Sequence, residues 1–309
     1  MVPIISVITC THNPRQDYLR RVLAALHSQT LTTDLWEYLL VDNASDRSLA
    51  SEIGLSWHPQ ARHIREDKLG LTPARLRGIQ EANGEILIFV DDDNVLDADY
   101  LEVALRISKD WAMLGAWGGQ SRGEFEITPP DWTKPYWGIL GIREFGKDQW
   151  SNLLHQWTTT PIGAGICVRK TVADKYFELV RSDPMRLNLD RKGKQLISGG
   201  DTDLAFTACD TGLGTGIFVD LKLTHLIPVG RLEEEYLVRL TENLAYSNNI
   251  LDFLRGKMPR KTPWFKQKMS EYYQLWTNGK RGMRFHQAKA RGIDRAIQEV
   301  SKVGSLPTH

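Results

Sequence analysis

The chain has 309 residues, 41% of them hydrophobic and 25% charged, a globular composition that excludes a disordered or fibrous chain and leaves room for a large core. The formal net charge is +1, so the chain as a whole is not a basic nucleic-acid binder, and no apolar run approaches the roughly 18 residues that span a bilayer. Cys10, Cys167 and Cys209 are widely spaced and odd in number, which excludes a disulfide framework and a CxxC zinc site.

The charge is unevenly spread. Residues 256–309 hold twelve Lys or Arg against three Asp or Glu, a balance of +9 that leaves the first 255 residues at −8. A basic tail on an acidic body points to contact with an anionic surface.

The opening MVPIISVITCTHN has no basic leader before its short apolar stretch, so it reads as a first strand, IISVITC, and a cytoplasmic location is expected. Asn13 before Pro14 gives an N-cap signal for a helix with Leu19, Val22, Leu23 and Leu26 on one face. A strand in YLLVDN, a short one at ARHIRE and a helix over TPARLRGIQEA closed by Gly84 follow. Then comes EILIFV, a buried strand, with a helix from about Asp97 to Lys109. Such alternation predicts an α/β fold with a mostly parallel central sheet and flanking helices.

After Gly115 the pattern weakens. Residues 116–160 are rich in Gly, Pro and Trp, including Trp117, Trp132, Trp137, Trp150 and Trp157, as in an ordered but irregular segment whose aromatics line a pocket. GAGICV, a helix from Lys170 to about Arg181, a helix opening at DTDLAF and strands around GIFVDL and LTHLIP restore regularity. From Leu232 onward the pattern is helical. The chain has no internal repeat and no low-complexity tract.

Three polar strand ends carry the chemistry: TCTHNP, VDNASD and FVDDDN. Three consecutive carboxylates, Asp91, Asp92 and Asp93, repel one another and call for a compensating cation or hydrogen-bond donors. If the strands are parallel, their C-terminal ends form one rim, where open α/β sheets bind ligands. Each stretch also has a plainer reading: Asn13 as a helix cap, Asp42 with Ser45 and Asp46 as a turn, the Asp triplet as an acidic turn.

Taken in order, ISVITCTHNP, VDNASD, LGLTPARLRGI, FVDDDN, GAGICVRK and SGGDTDLAF resemble the inverting family-2 glycosyltransferases of the GT-A (nucleotide-diphospho-sugar transferase) fold. The resemblance covers about residues 1–230. It implies a nucleotide-sugar-binding half (1–115), an acceptor-binding half (116–230) and a helical, basic C-terminal extension (231–309). It also implies a metal-dependent transfer from a nucleotide-diphospho-sugar, with a UDP-sugar favoured, to a hydroxyl of a glycan or lipid-linked acceptor, as in polysaccharide biosynthesis. By position, Thr9, Thr11, Asn13, Asp42, Arg75, Asp91, Asp92 and Arg231 would face the donor, and Asp93 and His225 would meet a Mg²⁺ or Mn²⁺ ion. Gly163, Ala164, Gly165, Trp132 and Trp137 would line the acceptor site.

Asp201 falls where that family carries its catalytic carboxylate, with Gly200 replacing the usual preceding acid and Leu76 replacing an Asn after Arg75. An inverting transfer needs one carboxylate to take the acceptor proton; Asp201 also reads as a helix cap, and Asp203 as support for that helix. Arg75 and Arg77 also read as a solvated helix face, and His225 as a structural strand residue. FVDDDN and GGDTD superficially match haloacid dehalogenase-type phosphatases, which need Asp91 as nucleophile; a non-catalytic nucleotide-sugar-binding protein is the third reading. In the basic tail, Trp264, Phe265, Tyr272, Tyr273 and Trp276 either face a membrane surface or pack on the core.

Overall fold

A computed structural model describes residues 2–193 and 195–303. The chain divides into two compact units, Met1–Leu187 with Gly200–Pro228, and Asn188–Gly199 with Val229–His309.

In the first unit, β1 (Ile5–Thr11) is followed by α1 (Gln16–His27), β2 (Trp36–Asn43), β3 (Ala61–Glu66), α2 (Leu71–Glu81) and β4 (Ile86–Phe89). The order β3-β2-β1-β4 is parallel throughout. β1, β2 and β4 are largely apolar and buried because helices cover both faces, whereas the edge strand β3, ARHIRE, is mostly polar. Val7, Leu40 and Ile88 pack with Leu19, Val22 and Leu26 of α1 on one face, while Ile8, Leu39, Val41 and Phe89 pack with Ala74 and Ile79 of α2 on the other. Each fully buried aliphatic side chain contributes about 1.5–3 kcal/mol of transfer free energy.

The remainder of the sheet is antiparallel in four of its five pairings. β5 (Asn94–Leu96), α3 (Tyr100–Asp110), β6 (Leu114–Phe125), β7 (Gln149–Ser151), β8 (Cys167–Arg169), α4 (Lys170–Arg181), α5 (Pro184–Leu187), α6 (Gly200–Asp210) and β9 (Gly214–Ile227) follow in chain order. β8 lies antiparallel between β4 and β6, β6 and β9 run parallel, and β5 and β7 join β9 antiparallel. The sheet is therefore mixed, parallel throughout β3-β2-β1-β4 and again between β6 and β9.

Several local expectations are corrected. Asn13 does not cap α1; Arg15 holds the cap position, while Asn13 sits in the left-handed region at φ 48. Gly84 does not close α2, whose C-cap is Ala82. A Cβ on Gly84 would lie 2.6 Å from the Ser6 amide nitrogen, so β1 demands the glycine by its close approach. The helix expected from Asp97 begins at Tyr100, because residues 94–96 pair with His225, Thr224 and Leu223 as β5. Residues 116–125, expected to be irregular, continue β6, whose partner β9 supplies the periodicity that the sequence hides. GIFVDL and LTHLIP are one strand, β9.

The second unit contains α7 (Glu234–Leu254) and α8 (Trp264–Val303), the latter broken at Gly279, where φ is 65. Residues 188–199, expected in the acceptor half, group here instead: the Ser198 amide donates to Ser247 Oγ at 3.1 Å. No helix among the described residues is long and apolar enough to cross a membrane. Cys10, Cys167 and Cys209 are thiols, not disulfides.

Candidate active site

Because β1, β2 and β4 are parallel, their polar C-terminal ends reach one edge, with Thr11 directly beside Asp42. Asp42 is 3% exposed and accepts hydrogen bonds from the Ser45 and Leu49 amides, both at 3.1 Å, and from Arg65 at 2.8 Å. Burial pushes its carboxyl up, yet the bonds from Ser45, Leu49 and Arg65 outweigh it and hold the group below the ordinary carboxylate range. Asp42 thus builds the loop after β2. Asn13 clamps that loop to β1: its amide donates to Ser45 Oγ at 3.0 Å, and its side-chain oxygen accepts from the Asp46 amide at 2.9 Å.

Thr9 is wholly buried below the rim. Thr11 donates its hydroxyl proton to Asp92 Oδ2 and so joins the ends of β1 and β4. The middle carboxylate of the triplet is therefore tied to the neighbouring strand, which spacing alone does not indicate. The Asp91 carbonyl accepts from the Asn94 amide at 3.0 Å and closes the turn into β5.

Asp93 and His225 meet because β5 pairs with β9 in a register that sets Asn94 opposite His225. His225 Nε2 lies 3.4 Å from Asp93 Oδ2, and both side chains are 10% exposed. Asn94 Nδ2 donates to Asp93 Oδ1 at 3.0 Å, and the Leu226 amide to the Asp93 carbonyl at 2.9 Å. Among the described residues no group of three His, Cys, Asp or Glu is gathered to hold a metal ion. One buried carboxylate beside one imidazole fits a divalent cation only as part of a shell whose other oxygens come from a bound diphosphate, a common arrangement for Mg²⁺.

Asp201 stands in the first turn of α6. Its Oδ2 accepts the Gly163 amide at 2.8 Å and its Oδ1 accepts the Thr202 amide at 2.8 Å. A Cβ on Gly163 would lie 2.9 Å from Asp201 Oδ2 and 3.3 Å from Arg75 Nη2, so the carboxylate and the guanidinium converge over a backbone that has room for no side chain. Arg75 is 4% exposed, which removes its reading as a solvated face. Arg77 keeps that reading, paired with Glu81 at 3.0 Å one turn away. Leu76 is in the core.

Of the three small residues assigned to the acceptor loop, Gly163 alone is seen to meet Asp201. Ala164 packs on the apolar core, and Gly165, at φ 73, offers its carbonyl to Tyr100 Oη at 2.6 Å. A Cβ there would lie 2.3 Å from Tyr100 Oη, so packing dictates the glycine. Trp132 and Trp137 lie in a 3₁₀ run, Asp131–Leu140; Trp132 sets its ring against Tyr136, and Trp137 against Phe125 at 4.9 Å. The residue capping that run, Gly141, passes over the His225 ring, its would-be Cβ 3.4 Å from Cε1. Arg231 lies in the second unit, in the turn Val229–Leu232.

Two features carry no signal in the sequence. Arg186 and Asp203 form a buried ion pair at 2.5 Å, 4% and 1% exposed, beneath the helix that bears Asp201. Arg143 donates to the carbonyls of Thr160 at 2.6 Å, Trp157 at 3.3 Å and Thr158, and so fixes the segment leading to Gly163. Neither contact is local, so no periodicity or spacing announces it.

The profile of the family described as "Glycosyl transferase family 2" matches residues 6–177. The EpsH protein of Bacillus subtilis (strain 168), named as a glycosyltransferase, is 32% identical over 111 residues, 35% of this chain and 31% of its own length. Polypeptide N-acetylgalactosaminyltransferase 3 of Drosophila melanogaster is 33% identical over 109 residues, 34% of this chain and 16% of its own. The chain thus spans less than a third of the length of these relatives. Among solved structures, S. aureus TarS 1-349 in complex with UDP-GlcNAc superposes with a TM-score of 0.54 and 15% identity, covering 97% of this chain and 92% of that one. That likeness shows the GT-A fold.

Proposed function

The chain belongs to glycosyl transferase family 2, and from that premise we propose that it is an inverting, metal-dependent glycosyltransferase in which Asp201 is the general base. The acceptor hydroxyl gives its proton to the Asp201 carboxylate while its oxygen attacks the anomeric carbon. The bond from that carbon to the diphosphate breaks, and the nucleoside diphosphate leaves with the bond's electrons from the opposite face. Configuration therefore inverts.

The observation that carries this reading is the carboxylate held at 2.8 Å by the Gly163 amide, with the buried Arg75 guanidinium converging on the same point. The amide fixes one oxygen of Asp201 and keeps the group in place as a proton acceptor. Asp93 and His225 would hold a Mg²⁺ or Mn²⁺ ion, which when bound supplies positive charge to the leaving diphosphate. Arg75 adds a fixed cation. Thr11, Asn13, Asp91 and Asp92 make the rim assigned to the nucleotide, which Thr9 supports from beneath and Asp42 shapes by holding the loop after β2, and Arg231 is assigned to the donor as well. Trp132 and Trp137 are assigned to the acceptor, a glycan or lipid-linked hydroxyl.

A UDP-sugar is the donor class we assign; the TarS neighbour was solved with UDP-GlcNAc, and that supports the choice. The phosphatase reading needs Asp91 as a free-standing nucleophile on a different fold, and family membership removes it. The test is a panel of UDP-, GDP- and dTDP-sugars with Mn²⁺, read as donor hydrolysis. Turnover of one donor class supports transfer, whereas tight binding of a donor with no turnover of donor or acceptor would mean a non-catalytic binding protein.

A further inference from the structure

The two segments of α8 present opposite sides to solvent. Beyond the break at Gly279 the buried positions are Gly282, Phe285, Ala288, Gly292, Ala296 and Val300, an ordinary core-facing stripe. Before it the arrangement reverses. Trp264, Tyr272 and Trp276 are 77%, 72% and 84% exposed, and Phe265, Met269 and Tyr273 are exposed with them. The half-buried positions of the same stretch are Gln267, Ser270, Glu271 and Gln274. At 3.6 residues per turn these four share one side of the helix and the aromatics fill the other. The segment is amphipathic with its polar side inward, which rules out the reading that its aromatics pack on the core.

An exposed apolar face of this kind marks an interaction surface. Its surroundings say what covers it. From Lys257 to Arg281 the chain holds seven Lys or Arg and one acid, Glu271, which Lys268 engages at 2.7 Å. Lys257, Lys261 and Arg281 have acidic neighbours at 3.5, 3.6 and 2.8 Å, while Arg260, Lys266 and Lys280 are exposed and show no ion pair among the described residues. A second copy placed on this face would oppose cation to cation. Exposed Trp and Tyr flanked by Lys and Arg match the wet and apolar layers of a lipid headgroup region.

We propose that Trp264–Asn278 docks on an anionic lipid surface, its aromatic side in the headgroup layer and its cations against the lipid charges. This inference does not depend on the transfer reaction and is testable without any donor. The full chain is floated with phosphatidylcholine vesicles and with mixed phosphatidylcholine–phosphatidylglycerol vesicles at low and high salt. The Trp264→Ser/Tyr272→Ser/Trp276→Ser and Arg260→Gln/Lys266→Gln/Lys280→Gln variants are floated beside it.

The expected result is partition at least about tenfold stronger into the anionic vesicles, weakened by salt and lost about tenfold or more in either variant. Because all six substituted side chains are exposed, unchanged thermal unfolding accompanies the loss. Quenching of tryptophan fluorescence by brominated lipid tests the wild-type chain alone and is expected only with the anionic mixture. Equal partition into neutral vesicles, unaltered partition of the aromatic variant, or a wild-type dimer that this variant dissolves would overturn the proposal, the last by showing that a second copy covers the face.

Discussion

The Gly163 amide donates to Asp201 Oδ2 at 2.8 Å, and the point where a Gly163 side chain would begin lies 3.3 Å from Arg75 Nη2. The backbone of one loop thus holds the proposed base. Gly163→Ala is expected to displace Asp201 and, by less, Arg75, so that the transfer rate falls about tenfold or more while donor affinity falls by less, since small displacements of a reacting group are costly. Steady-state kinetics beside calorimetric donor binding checks this; a wild-type rate would mean that the contact holds nothing the reaction uses.

Asp93 and His225 are joined by strand register and not by neighbouring sequence. With UDP and Mn²⁺, either Asp93→Ala or His225→Ala should weaken binding by at least about tenfold, and binding of UDP without metal should change little. Calorimetry with and without Mn²⁺ separates the two. Equal weakening in both conditions would place these residues on the nucleotide and not on an ion.

Asp203 and Arg186 are almost wholly buried. Removing Asp203 takes from the buried Arg186 its closest acid and leaves Asp183 at 3.5 Å, so Asp203→Ala should cost up to about 3–5 kcal/mol of folding stability in urea unfolding. The double variant Arg186→Met/Asp203→Ala should recover much of that loss. Additive losses in the pair would mean that the two charges do not depend on one another.

His58 is 2% exposed, its ring centroid 4.1 Å from that of Trp36, and its Nδ1 accepts the Gln60 amide at 3.1 Å. Burial lowers its affinity for protons from the ordinary 6.5. A base lowered in the folded state gives stability that is full above the unfolded value and is lost as pH falls through the folded one. The urea midpoint is therefore expected to drop below about pH 6.5 in wild type, and His58→Gln should drop less over the same interval. Parallel slopes would contradict this.

The parallel half of the sheet was legible because β1, β2 and β4 are apolar runs that end in polar turns, and ARHIRE and Lys170–Arg181 have the bounds that their patterns imply. β5 and the long β6 were not, since their order comes from pairing with β9. In the site, the ordered motifs pointed to Asp201 and the Asp triplet. What they could not carry was which groups touch: that Thr11 binds Asp92, that Asp42 is consumed by its own loop, and that Gly165 serves Tyr100. Gly, Asp and Thr look alike in a motif whether they bind ligand or backbone, and long-range contacts such as Arg186 with Asp203 have no spacing to read.

The transfer rate of Asp201→Asn, measured with the cognate donor and acceptor while donor affinity is followed in the same preparation, bears most directly on the assignment of the base. Asn keeps the size of the side chain and an oxygen for the Gly163 amide, but it cannot take the acceptor proton. The expected result is unchanged donor affinity with transfer slower by about 10² or more, the usual scale for a lost proton acceptor. A variant that transfers at the wild-type rate would show that Asp201 only caps α6 and that another group takes the proton.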